Sequence, residues 1–126
     1  MATRFDRTAP ASGPAVTGFV GRGFKVDGEV YVGGVRLTPL AAESWSPPPL
    51  ADLTLDDIDV LLTLQPAPEF LLLGTGAAMA RPRAAFTAAL DARGIGVEAM
   101  DSRAAARAWA VLRAEDRWIV AALMPL

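Results

Sequence analysis

The chain has 126 residues and contains neither cysteine nor histidine. That excludes disulfides, thiol nucleophiles, histidine bases, Ser-His-Asp triads and zinc sites built on Cys or His. Twelve basic residues, eleven of them Arg, face fourteen acidic ones, and the net charge of −2 supplies no basic excess for nucleic acid or an anionic membrane.

Hydrophobic residues make up 52% of the chain, enough for one core without a metal or disulfide staple, and the length suits one domain. The apolar runs fall short of the roughly 18–20 residues of a membrane span. Arg4 and Arg7 stand near the N-terminus without an apolar stretch behind them, unlike a secretory signal, so a cytoplasmic location is expected.

Residues 1–15 mix Thr, Ala, Pro, Ser and Gly without a period and are expected to form a flexible tail, leaving residues 16–126 as one domain. Phe19, Phe24 and Val26 precede Asp27-Gly28, and Val30, Val32, Val35 and Leu37 follow it. Asp-Gly between β-rich runs predicts a hairpin, because a type I′ turn needs positive φ at both central residues. Gly33-Gly34 predicts a bulge or bend in the second strand, which Pro39 ends.

Residues 41–50 carry Trp45 and Pro47-Pro48-Pro49 and read as an extended, stiff connection. Trp45 is expected to plug an edge of the core. Its proline neighbours keep open a partner-facing role for Trp45, Pro47 and Pro48.

Thr54 is expected to cap a helix, with Asp57 three positions on and Asp56 also in the first turn, where carboxylates suit the helix dipole. Ile58, Leu61 and Leu62 keep helical spacing until Pro66 and Pro68 stop it. Phe70-Leu71-Leu72-Leu73 is a continuous apolar run ending at Gly74, the pattern of a central strand buried on both faces. Pro82 suits the first turn of a second helix, with Ala85, Phe86, Ala89 and Leu90 as its buried stripe and Gly94 closing it. Residues 95–100 read as a strand. Asp101-Ser102 caps a third helix with Ala105, Ala108, Trp109 and Leu112 inward and Arg113 near its end. After a turn at Glu115-Asp116, residues 118–123 form the last strand. This order, ββ-α-β-α-β-α-β, predicts an α/β fold: a mostly parallel sheet with helices on both faces, joined or flanked by the N-terminal β-hairpin.

Several of these stretches resemble a known family. Gly23-Phe24-Lys25-Val26-Asp27-Gly28 resembles its opening hairpin, and Phe70-Leu71-Leu72-Leu73-Gly74-Thr75-Gly76 its central strand and turn. Gly94-Ile95-Gly96-Val97-Glu98-Ala99-Met100-Asp101-Ser102 is similar to its next strand and cap, and residues 106–112 fit its last helix. This is the small-domain family of unknown function that includes a mitochondrial respiratory complex I assembly factor and an adipogenesis-associated protein. Over residues 16–126 the resemblance implies a three-layer fold around a central mixed sheet, with the last strand antiparallel to its neighbours. It implies a role in assembly or interaction rather than a reaction. Family members often carry an aromatic-Asn pair in the last helix, where this chain has Trp109-Ala110.

The chemistry-bearing candidates are few. Gly74-Thr75-Gly76 follows a buried strand and precedes a helix, the place where α/β sheets bind ligands. Its amides, the Thr75 hydroxyl, Arg81 and Arg83 suit a small anion. Met79 stands where a dinucleotide fingerprint needs its third glycine, and a tight structural turn explains the same residues. Lys25, the sole lysine, reads as solvated surface rather than as a Schiff-base or general-base residue. Glu43 and Ser44 have no base paired to them by spacing. Asp52, Asp56, Asp57 and Asp59 are oxygen donors for a hard cation, but they lack the spacing of a calcium loop, and helix-start charge accounts for Asp56 and Asp57. Trp109 and Trp118 fall on inward stripes. No cofactor and no metal are implied. The expected function is a non-enzymatic assembly or interaction module with a protein partner. The alternative is a small-ligand or anion-binding protein using residues 74–83. Self-association stays open for either.

Overall fold

A computed structural model describes residues 13–126 of the protein. Asp27 and Gly28 both take positive φ, 49° and 89°, as a type I′ turn requires, and they join β2 (Gly23–Val26) to β3 (Glu29–Tyr31). A further strand, β1 (Val16–Val20), pairs antiparallel with β2, so the N-terminal part is a three-stranded sheet in the order β1-β2-β3. Part of the expected tail is tied to it. The Trp109 indole N–H donates to Pro14 O at 2.9 Å, and Asp27 N donates to Ala15 O at 3.0 Å. Residues 1–12, the rest of the expected tail, lie outside the described residues.

At Gly33-Gly34 the chain leaves this sheet and enters another. A Cβ on Gly34 would stand 2.7 Å from Leu123 O and 3.0 Å from Trp45 O, so only glycine lets the three backbones approach this closely. The bulge or bend expected at Gly33-Gly34 is therefore a full break between two sheets, and β4 (Gly34–Leu37) belongs to the second sheet. The expected stiff connection is also corrected in part, because Ala42–Trp45 forms β5, antiparallel to β4. Arg36 and Glu43 face each other across this pair, with an N–O distance of 2.7 Å. That cross-strand ion pair gives the segment a reason to pair.

Thr54 and Asp57 form the expected capping box, with Asp57 Oδ2 accepting from Thr54 N at 2.9 Å. The helix it starts is short: a 3-10 turn, Leu55–Ile58, runs into a single α turn, α1 (Asp59–Leu62). Next come β6 (Phe70–Gly74), α2 (Ala84–Asp91), β7 (Gly96–Met100), α3 (Ser102–Ala114) and β8 (Val120–Leu123). α2 starts two residues beyond Pro82, with Arg83 at its N-cap, and its buried stripe narrows to Phe86 and Leu90. At its end Gly94 takes φ 76° and Ile95 N donates to Leu90 O, which closes the helix as a glycine C-cap does.

The second sheet has the order β5-β4-β8-β6-β7. β6 is parallel to both β8 and β7, whereas β4 is antiparallel to both β5 and β8. The sheet is mixed, and the mostly parallel arrangement expected from strand–helix alternation is corrected. β4 and β5 join through a short turn, which only antiparallel strands allow, whereas the strands joined through helices run parallel. The last strand, β8, is antiparallel to β4 alone.

Period-two alternation divides the side chains between two cores. Leu71, Leu73, Val120 and Ala122 lie against Phe86, Leu90, Ile58 and Leu61 on one face. Leu72, Ala121, Leu123, Val35 and Leu37 lie against Trp109, Ala105, Phe24 and Val26 on the other. Trp45 is buried in the first cluster, where the sequence placed a core plug.

Candidate functional site

The turn after β6 is built around a buried serine. Thr75 N donates to Met100 O at 2.9 Å, and Gly76 N donates to Ser102 Oγ at 2.9 Å. Ser102 Oγ in turn donates to Met124 O at 2.7 Å, and Ser102 N donates to Gly76 O at 2.8 Å. The Thr75 hydroxyl accepts from Ala80 N at 3.0 Å and donates to Ala78 O at 2.7 Å, which folds residues 75–80 onto themselves. Gly76 needs its φ of 107°, and Gly74 has no room for a side chain: a Cβ there would meet Ser102 Oγ at 2.7 Å. This network ties the ends of β6, β7 and β8 to the start of α3.

The candidate anion ligands do not converge. The Thr75 and Gly76 amides are spent on Met100 and Ser102. Arg83 Nη2 donates to Leu53 O at 3.0 Å. Arg81 is exposed beside a groove between α2 and β7, together with Met79, Pro82 and Asp91. Thr75 instead shares a shallow depression of about 520 Å³ with Pro47, Pro48 and Arg22. Two sets of residues that the sequence kept apart, the glycine turn and the proline run, thus meet at one end of the five-stranded sheet. Trp45 does not join them at the surface, being 7% exposed.

Ser102 is the residue that sequence reasoning missed. In Asp101-Ser102 the carboxylate alone caps α3, with Asp101 Oδ1 accepting from Ala104 N at 2.9 Å. The second cap-type residue had no helical task, and that surplus was the available signal. Lys25 is exposed on β2. Asp57 is engaged in its capping box. Among the described residues no group of acidic side chains is arranged to hold a metal ion, and no helix is long and apolar enough to cross a membrane.

A family model described as a protein of unknown function (DUF498/DUF598) matches residues 16–124. The chain belongs to this family. This family member is 31% identical over 115 residues to the NADH dehydrogenase (ubiquinone) 1 alpha subcomplex assembly factor 3 of Danio rerio, covering 91% of this chain and 66% of that protein. With the human protein of the same name it shares 32% over 104 residues, 82% of this chain and 56% of the other. The chain therefore spans less than two thirds of the length of these relatives. Among solved structures it is similar to a protein from Bordetella parapertussis, with a TM-score of 0.82 and 33% identity, over 91% of this chain and 98% of that one. A Bordetella pertussis protein described as an Mth938-like domain matches with a TM-score of 0.78 and 28% identity, over 99% and 92% of the two chains.

Proposed function

We propose that this protein is a non-enzymatic interaction module that helps a multi-subunit complex to assemble. The observation that carries the reading is its similarity, over 91% of its length, to a protein named as an assembly factor. The chemistry of the chain supports it. With no Cys or His, a catalytic centre would have to be built from carboxylates, hydroxyls, the single Lys and Arg, and the hydroxyls at the candidate turn are engaged in internal hydrogen bonds. Affinity capture of the tagged full chain from its native host, with quantitative mass spectrometry, tests the reading. Recovery of the same protein partner in near-stoichiometric amount is expected. Repeated capture without a partner overturns it.

A small anion held by residues 74–83 is the second reading, and the exposed guanidinium of Arg81 beside a groove favours it. Against it, the turn amides already have internal acceptors. A thermal-shift screen of nucleotides and phosphorylated metabolites, with Arg81→Ala as control, decides between the two. A cytoplasmic location belongs to the same proposal, and recovery of the native protein with the cell envelope on fractionation would contradict it.

A further inference from the structure

We propose that the open edge of β7 is a docking site at which an extended segment of a protein partner adds as a sixth strand beside α2. The inference rests on the interaction reading above and names the surface it uses. β7 ends the five-stranded sheet and, among the described residues, pairs with β6 alone. Met100 O accepts from Thr75 N at 2.9 Å, so the backbone of Met100 faces β6. Strand period then turns the N–H and C=O groups of Val97 and Ala99 away from β6, toward the open side. Such outward groups on alternate residues are the template that strand addition uses.

The side chains beside this edge form a receiving groove. Val97 and Ala99 are half-buried and belong to the face that carries α2. With Pro82, Thr87 and Ala88 they line a groove of about 620 Å³, with Arg81 before the start of α2 and Asp91 at its end. Alternate side chains of an added strand would enter it, and the intervening ones would stand on the opposite face beside the exposed Glu98.

Charge selects the occupant. If two copies paired antiparallel over the whole of β7, the register would put Glu98 opposite its own counterpart, and like charges directly opposite are destabilising. A partner segment with Lys or Arg opposite Glu98, flanked by small apolar residues facing α2, satisfies both faces of the edge.

The test uses the full chain, isotopically labelled, and two short capped peptides that alternate Val with Thr. One carries a central Lys and the other a central Glu. The Lys peptide is expected to shift the amide signals of Val97 and Ala99 and to bind about tenfold tighter than its Glu counterpart, since an attractive cross-strand pair replaces a repulsive one. Glu98→Lys, on an exposed side chain, should invert that preference. Ala99→Pro deletes one outward N–H and leaves the ladder to β6 intact, so it should weaken binding while the spectrum stays dispersed. If that variant does not fold, the inversion by Glu98→Lys carries the test. No shift at Val97 and Ala99 up to millimolar peptide, or equal binding of both peptides, overturns the proposal. A native partner captured equally by wild type and Glu98→Lys would leave the interaction reading standing and remove the β7 edge from it.

Discussion

Replacing Ser102 with alanine isolates the network that holds the strand ends. Ser102 is completely buried, and its hydroxyl accepts from Gly76 N and donates to Met124 O. The substitution leaves both backbone groups without that partner, and Gly76 and Met124 are themselves buried. Each buried polar group left unpaired costs about 1–3 kcal/mol, and a total of about 2–4 kcal/mol follows if the carbonyl lies near the low end. Water is a poor substitute, because removing one hydroxyl vacates less volume than a water molecule occupies. At about 4 °C per kcal/mol for a chain of this size, Tm should fall by about 8–16 °C. Calorimetry and urea unfolding measure this, with Ser44→Ala on the exposed β5 position as control. An unchanged urea m-value would place the loss in the native state. A change within about 0.5 kcal/mol, the range of ordinary surface substitutions, would refute the assigned role.

Three further outcomes follow from the same geometry. Gly74→Ala places a Cβ 2.7 Å from Ser102 Oγ and 2.9 Å from Leu123 Cδ2, and should cost about 1–3 kcal/mol by overpacking, read from the urea midpoint; a neutral result would mean that β6 can shift freely. Trp109→Phe removes the indole bond to Pro14 O as well as core volume, so it should destabilise by about 2–4 kcal/mol and speed hydrogen exchange at Asp27 N, which donates to Ala15 O. If exchange there is unchanged, the anchor does not organise residues 13–15. The Glu69 carboxylate accepts from Arg117 and from Trp118 N, and these bonds hold its pKa below the usual glutamate range. A depressed folded-state pKa stabilises the fold above the unfolded-state value, and the contribution is lost as pH falls through the folded one. Wild type should therefore exceed Glu69→Gln modestly near neutral pH, and the two should converge in acid. A pH-independent difference in urea unfolding would contradict this.

Local pattern carried much of the fold. Asp27-Gly28 specified its turn, Phe70-Leu71-Leu72-Leu73 its buried central strand, Thr54 and Asp57 their capping box, and Asp101 the start of α3. Each depends on neighbours a few residues away, which is why a linear reading finds it. β5 escaped notice because its pairing with β4 joins two segments across the turn at Thr38, and prolines immediately after it suggested a connection instead. Gly33-Gly34 marked an irregularity between β3 and β4, but its extent, a change of sheet, depends on what Gly34 makes room for, Leu123 O, far along the chain.

The candidate site divides in the same way. The sequence marked the glycine turn as a special backbone position, and the positive φ at Gly76 agrees with that. It suggested a convergence of Arg81, Arg83 and the turn amides that the packed chain does not make, since proximity in sequence is not proximity of functional groups. It also missed Ser102, whose partners, Gly76 and Met124, lie 26 and 22 residues away.

By itself, then, the sequence determined most of the elements, the turn chemistry and that β6 is an interior strand, because periodicity and φ requirements are local properties. Only the tertiary structure decided which strands are neighbours, that β8 enters between β4 and β6, and that β7 is left at the edge. Sheet order is set by burying two faces at once, and that is a constraint on the whole chain. The absence of Cys and His narrowed the chemistry from the outset, but which strand edge stays open was settled only by the place of the last strand between β4 and β6.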